Sequence, residues 1–275
     1  MKCPYRNWMS GTNLRYCKPS PDVPSPRESK TVKQPRGGFL NPNLFEETVL
    51  DSPDDLAPVE NIHASLVGLA VDYLTRFMTG SPVDEAFEIS FKGAKLAKRT
   101  DTAHQLLSRI KGLDDDSIIA AAKLVTYDAC YRNGYFDSNA VNSVNPDTDT
   151  CSNIRIMVNR ALHFFDLYGP KTQDTMTFEG GYTHTVNAGD GDFMTADTLW
   201  DFKVSKKKPT KDHTLQLIMY WRMGLHSIHP EYKNVRYLGI FNPRLNTVYR
   251  YEVNRLPEET IEFMDYDIIV YPPEI

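Results

Sequence analysis

The chain has 275 residues, 41% of them hydrophobic and 24% charged, with a formal net charge of −5 at pH 7. That size and balance suit a soluble globular enzyme with one sizeable α/β core and an appendage, and they argue against a protein that coats nucleic acid indiscriminately. Four cysteines, Cys3, Cys17, Cys130 and Cys151, lack CxxC or CxH spacing and indicate neither a zinc site nor a disulfide framework. The apolar stretch near Leu66 to Phe77 is interrupted by Asp72 and Arg76, and the polar start Met1-Lys2-Cys3-Pro4-Tyr5-Arg6 does not read as a signal peptide. No membrane partner and a cytoplasmic location are therefore expected.

Residues 1–38 form a basic arm, with Lys2, Arg6, Arg15, Lys18, Arg27, Lys30, Lys33 and Arg36 against Asp22 and Glu28. Its prolines argue against a regular element, and tracking a phosphate backbone, contacting another subunit and forming a solvated tail stay open as roles. One domain is expected over residues 39–275, helical at about 56–168 and with its motif core at about 172–253. The pattern predicts a helix at residues 59–78, a strand at 86–91 and helices at 102–110, 117–132 and 153–167. Ile118, Ala121, Ala122, Val125 and Ala129 recur at helical spacing and read as core, while the Asn-, Ser- and Asp-rich stretch 139–149 reads as an exposed connection.

Residues 189–204 read as two strands joined by a tight turn, because β-branched and aromatic residues flank a small polar centre. With the turn's midpoint between Ala196 and Asp197, Met194 faces Leu199, Phe193 faces Trp200 and Asp192 stands across from Asp201. Cβ atoms paired in this way lie about 4.5–5.5 Å apart. Two opposed carboxylates repel, whereas a divalent cation between them turns the repulsion into a binding site. Alternation puts Lys203 on the face of Asp201 and turns Trp200, Phe202 and Val204 the other way. Such a face suits phosphodiester hydrolysis, in which the carboxylates hold Mg²⁺ or Mn²⁺ and the cation lowers the pKa of an attacking water. The competing reading is an exposed acidic hairpin whose Lys203 offsets local charge.

Lys206, Lys207, Lys208 and Lys211 follow in a loop broken by Pro209, and they suit either phosphate contacts or plain solvated surface. A helix is predicted at residues 212–223 with Asp212 as its N-cap. On it Gln216 and Tyr220 share one face, and Leu215, Ile218 and Met219 form an apolar side. Strands at 235–241 and 247–253 then close a mixed sheet.

Together, Gly189-x-x-Asp192, Asp201-x-Lys203 and Gln216-x-x-x-Tyr220 resemble the PD-(D/E)XK nuclease superfamily, in particular the QxxxY branch that includes RecB-type nuclease domains and phage λ exonuclease-like proteins. The resemblance is specific over roughly 35 residues, and three motifs in the right order are far less probable by chance than any one. It implies an α/β, restriction-endonuclease-like mixed sheet flanked by helices, with the helical segment as an insertion or cap. It further implies that Asp192 and Asp201 bind the metal, that Lys203 assists the attacking water, and that Gln216 and Tyr220 position substrate and the active-site strand. The family's upstream acidic residue or histidine has its counterpart in Gly68-x-x-x-Asp72, where Asp72 replaces the usual Glu or His. Glu60 competes for that role and equally fits a first-turn carboxylate complementing the helix dipole. Some members carry an iron–sulfur cluster held mainly by cysteines after the motifs; none follows Cys151 here, so no cluster is expected.

The implied activity is metal-dependent cleavage of DNA, with RNA as an alternative substrate, in phage recombination, DNA repair or antiphage defence. A homo-oligomer or a protein partner that supplies specificity is consistent with it. The rivals are a noncatalytic nucleic-acid-binding or assembly protein that keeps the fold, and an α/β enzyme unrelated to nucleic acid. Other constellations fail: Asp190-Gly191-Asp192 lacks the oxygen ligand and glycine of a calcium loop, His226 and His229 lack a third zinc ligand, and Gly180-Gly181 lacks the Walker lysine and serine.

Overall fold

The computed structural model describes residues 14–16, 32–137, 139–189 and 191–272. They form two compact units, one of residues 14–16 with 53–162 and the other of residues 32–52 with 163–272. In chain order the strands are β1 (Leu14–Tyr16), β2 (Glu46–Val49), β3 (Tyr135–Asp137), β4 (Gln173–Met176), β5 (Gly191–Met194), β6 (Thr198–Phe202), β7 (Tyr237–Asn242) and β8 (Thr247–Glu252). No helix among the described residues is long and apolar enough to cross a membrane.

The first unit is helical. Its helix Ala64–Met78 buries Leu66, Val67, Ala70, Val71 and Leu74, a stripe at helical spacing that leaves Asp72 and Arg76 outside it. It starts five residues later than the pattern predicts. Ala57 N–H donates to Asn153 Oδ1 at 2.7 Å and Asn61 N–H to Thr150 Oγ1 at 3.0 Å, so side chains satisfy the backbone there in place of a helical ladder. Glu60 accordingly precedes the helix, and its Oε1 accepts from Asn153 Nδ2 at 3.0 Å.

Residues 86–91 are not a strand. The helix Glu88–Leu96 follows the short helix Val83–Ala86, and the fully buried positions Phe87, Ser90 and Ala94 recur at helical spacing. Gly93 fits this packing because a Cβ there would lie 2.0 Å from the Tyr127 carbonyl oxygen. The helix Thr100–Arg109 matches its prediction closely. The stretch 117–132 divides into the helix Asp115–Leu124, a 3-10 turn Val125–Tyr127 and the helix Asp128–Asn133, which ends at Gly134 in the left-handed region, φ 68°.

The break centres on Asp128. Its carboxylate is buried and accepts from Tyr73 Oη at 2.6 Å and from Ser90 Oγ. The connection 139–149 is less exposed than its composition suggests, since Ala140–Ser143 is a short helix and Ala140, Val141 and Val144 are buried. Leu14–Tyr16, a proline-free stretch of the arm, pairs antiparallel with β3, so the arm does hold a regular element. The rest of the arm through residue 31 lies outside the described residues.

The second unit is built on a six-stranded sheet of order β2-β8-β7-β6-β5-β4. All neighbours are antiparallel except β6 and β7, which are parallel and joined by the crossover helix Lys211–Leu225. One face packs Trp200, Phe193 and Phe241 against Phe164 near the end of the helix Thr148–Tyr168, with Phe164 and Phe241 stacked at 4.2 Å and Phe164 and Trp200 edge-to-face at 4.8 Å. Gly239, paired with Trp200, accommodates that indole: a Cβ there would lie 2.3 Å from Trp200 Cε3. Met194, Leu199, Leu238 and Ile240 point to the opposite face and share a core with Leu215, Ile218 and Met219 of the crossover helix. The fold is thus α/β, with helices on both faces of a mixed sheet.

Candidate active site

The hairpin has the register read from its sequence: Met194 pairs with Leu199 and Phe193 with Trp200. Its turn is held by Thr195 N–H donating to the Thr198 carbonyl at 3.0 Å and by Trp200 Nε1 donating to Thr195 Oγ1 at 2.9 Å. One step beyond this ladder the register carries Asp192 to the place opposite Asp201. There the pairing changes character, because Asp192 Oδ2 accepts the Phe202 backbone N–H at 2.7 Å. Protein donors at the end of β6, the Phe202 N–H and the Lys203 ammonium, therefore meet the two carboxylates.

Asp201 is 4% exposed, and Lys203 Nζ lies 2.7 Å from its Oδ1. Its Oδ2 is buried with no hydrogen-bond partner. A buried carboxylate oxygen without a donor costs about 1–3 kcal/mol or more, so a purely structural role leaves this atom unexplained. Hard oxygen donors of this kind fit a divalent cation, and Mg²⁺ commonly takes one or two carboxylates with water and substrate phosphate filling the rest. Among the described residues no group of three or more His, Cys, Asp or Glu side chains is gathered for a metal. The two carboxylates that the hairpin brings near each other are Asp192 and Asp201.

The helix Lys211–Leu225 covers the same sheet face, and Gln216 Nε2 donates to Tyr220 Oη at 2.7 Å. The Tyr220 ring lies 4.9 Å from Phe178, and a Cβ on Gly189 would sit 3.1 Å from Tyr220 Cε1. Tyr220 thereby packs on the backbone three residues before Asp192. Thr210 caps this helix, its N–H donating to His213 Nδ1 at 3.3 Å, and Asp212 is not the cap as predicted. Asp212 sits in the first turn, where its Oδ1 accepts from Gln34 Nε2 at 2.7 Å.

Several residues around the site carried no motif. The segment 177–189 that leads into Asp192 is fastened at many points: Tyr232 Oη donates to the Thr177 carbonyl at 2.8 Å, Tyr271 Oη to the Gly181 carbonyl at 2.5 Å, Thr183 Oγ1 to the Ile269 carbonyl at 2.5 Å and Tyr182 Oη to the Gly189 carbonyl at 2.7 Å. Asn242, 1% exposed, clamps the basic loop, with Nδ2 donating to the Ser205 carbonyl at 2.8 Å and Oδ1 accepting from Arg244 N–H at 3.0 Å. A polar residue ending the apolar run of β7 was the available signal for it.

Lys206, Lys207 and Lys208 are exposed, and Lys211 is half-buried at the helix start. Lys208 Nζ reaches Glu47 Oε2 at 2.6 Å. Asp72 belongs to the helical unit, where Arg76 Nε donates to its Oδ1 at 3.0 Å. Cys130 and Cys151 are buried. His226 stacks on Tyr271 at 3.8 Å, and His229 Nε2 lies 3.4 Å from Thr177 Oγ1. Asp190, Cys3 and Cys17 lie outside the described residues.

The fold and this face define an α/β unit whose mixed sheet is flanked by helices and presents a carboxylate–lysine pair. No protein-family model matches the chain, and neither a curated protein nor a solved structure matches it.

Proposed function

We propose that this chain is a Mg²⁺- or Mn²⁺-dependent nuclease that hydrolyses phosphodiester bonds of DNA, with RNA as the alternative substrate. The observation that carries the reading is Asp201, a buried carboxylate with Lys203 on one oxygen and no hydrogen-bond partner on the other, beside Asp192 and under the helix of Gln216 and Tyr220. Asp192 and Asp201 would hold the cation, which when bound polarises the phosphate and lowers the pKa of water. Lys203 keeps a positive charge beside Asp201, where negative charge develops on phosphoryl oxygens. The Phe202 N–H fixes the Asp192 carboxylate, and the Gln216–Tyr220 bond fixes a polar edge above the strand that bears Asp201. Lys206, Lys207, Lys208 and Lys211 supply phosphate contacts.

A second reading, a noncatalytic nucleic-acid-binding or assembly protein with the same fold, draws support from the direct Lys203–Asp201 ion pair, which satisfies the lysine without substrate. Incubation with circular single-stranded, circular double-stranded and linear DNA, and with RNA, under Mg²⁺, Mn²⁺ or EDTA, separates the two. Metal-dependent cleavage that disappears in Asp201→Ala and Lys203→Ala is the expected result, and cutting of circles distinguishes an endonuclease from an exonuclease. Binding without cleavage under every metal condition supports the noncatalytic reading.

A further inference from the structure

On the face that carries Asp201, a lateral row of paired positions runs Asp201, Ile240, Tyr249, Glu47 across β6, β7, β8 and β2. Paired residues share a face, so Glu47 stands on the face of Asp201 at the sheet edge. Three strand spacings separate them, about 14 Å. The loop after Lys203 bridges this distance. Asn242 takes hold of the Ser205 carbonyl, Ser205 Oγ accepts from Lys207 N–H at 3.0 Å, and Lys208 then reaches the Glu47 carboxylate at 2.6 Å. A loop held by a buried clamp thus carries Lys208 to the Glu47 end of the row. The Tyr249 hydroxyl on the same row is buried with no hydrogen-bond partner.

A lysine on a clamped loop, satisfied by a carboxylate on the active-site face, has the chemistry of a phosphate contact held by a substitute. We infer that Lys208 binds a phosphate of the polynucleotide flanking the bond to be cut, and that Glu47 takes the place of that phosphate in the free protein. The inference rests on the nuclease reading above and adds a direction to it: the substrate backbone runs from Asp201 across β7 and β8 toward β2. The Lys208 and Glu47 side chains are 67% and 37% exposed, so water screens their pair and a phosphodiester can displace the carboxylate. The Tyr249 hydroxyl, unpartnered in the free protein, can then donate to the incoming phosphate oxygens. Glu46, the neighbouring carboxylate, points to the opposite face and serves as a control of equal charge.

The test is binding of a fluorescently labelled single-stranded DNA, and of the RNA of the same sequence, in EDTA over a salt series. Four variants are compared with the unaltered chain: Lys208→Gln, Glu47→Gln, Glu46→Gln and the Glu47/Lys208 double variant. Lys208→Gln is expected to lower the slope of log affinity against log salt by about one. Glu47→Gln is expected to tighten binding by about two- to five-fold, the range of an exposed ion pair. Glu46→Gln should leave affinity unchanged, and the Glu47 effect should vanish when Lys208 is Gln.

Equal gains from Glu46→Gln and Glu47→Gln, or a Glu47 gain that survives in the double variant, would reduce the effect to net charge and overturn the proposal. Cleavage and binding by the unaltered chain, with Lys208 and Glu47 variants indistinguishable from it, sinks this inference alone. Failure to bind either polynucleotide sinks the nuclease reading with it.

Discussion

Lys203 Nζ lies 2.7 Å from Asp201 Oδ1, while Oδ2 of the same carboxylate is buried without a partner. One side of the group is neutralised by the protein and the other is left without a donor. A central strand tolerates a buried charge only when it is paired, and here the pairing is half complete.

Mn²⁺ should therefore stabilise the protein through Asp201. A ligand at one hundred times its Kd adds about 2.7 kcal/mol to the folded state, a shift readily seen in thermal unfolding. The unaltered chain is expected to unfold at a higher temperature as Mn²⁺ is added, and Asp201→Asn is not. Equal shifts in both proteins would remove Asp201 from the metal site.

Lys203→Ala should abolish cleavage, by at least about a hundredfold, as expected when a preorganised positive group is lost from a transition state. The variant should still fold. Without metal it should lose about 1–3 kcal/mol, because the buried Asp201 carboxyl group loses its ammonium partner. Mn²⁺ should recover more stability in this variant than in the unaltered chain, a comparison made by urea unfolding with and without the ion. Full activity would exclude Lys203 from the mechanism.

Gly239→Ala tests the sheet that aims these groups. Its new Cβ would stand 2.3 Å from Trp200 Cε3, and an indole packed by Phe164, Phe193 and Tyr168 has little room to retreat. Overpacking of this kind costs about 1–3 kcal/mol. A urea midpoint unchanged by the substitution would show that the Trp200 layer is loosely packed.

The helical unit has a pH dependence of its own. Burial holds the Asp128 carboxyl above the usual carboxylate range, with Arg132, Ser90 and Tyr73 drawing it back down. Because the native pKa exceeds the unfolded value of about 3.9, the contribution of this group is fully present below about pH 4 and is lost as pH rises through the native value. The stability of the unaltered chain relative to Asp128→Asn should fall accordingly as pH is raised from about 4. Urea unfolding of both proteins across that range measures it, and a difference that stays flat with pH would contradict the raised pKa.

The hairpin was legible in the sequence because its period of two and its turn fix the partners of Phe193 and Met194 without reference to the rest of the chain. Gln216 and Tyr220 were legible for a similar local reason, a four-residue spacing on a helix with an apolar side. Residues 86–91 misled because Phe87, Ile89 and Phe91 alternate as a strand does. Burial at Phe87, Ser90 and Ala94 decides for a helix, and it depends on Gly93 meeting Tyr127, a contact far along the chain. Asn242, Tyr271 and Glu47 act through partners tens to hundreds of residues away, for which no spacing rule exists. Asp128 was hidden in the same way, since a lone aspartate in an apolar helix gives no sign of the hydroxyls that surround it.

Residues 264–271 grip the segment that leads into Asp192, through the Ile269 carbonyl and the Tyr271 hydroxyl. A ribosome makes them after every motif residue. The two strands and the Gln/Tyr helix can assemble while synthesis is still under way, with Tyr182 and Tyr232 already holding the approach to Asp192, and residues 264–271 add their two anchors later. The timing of chain growth thus lets the hairpin bond of Asp192 to the Phe202 N–H form before the loop that leads into it is fully held.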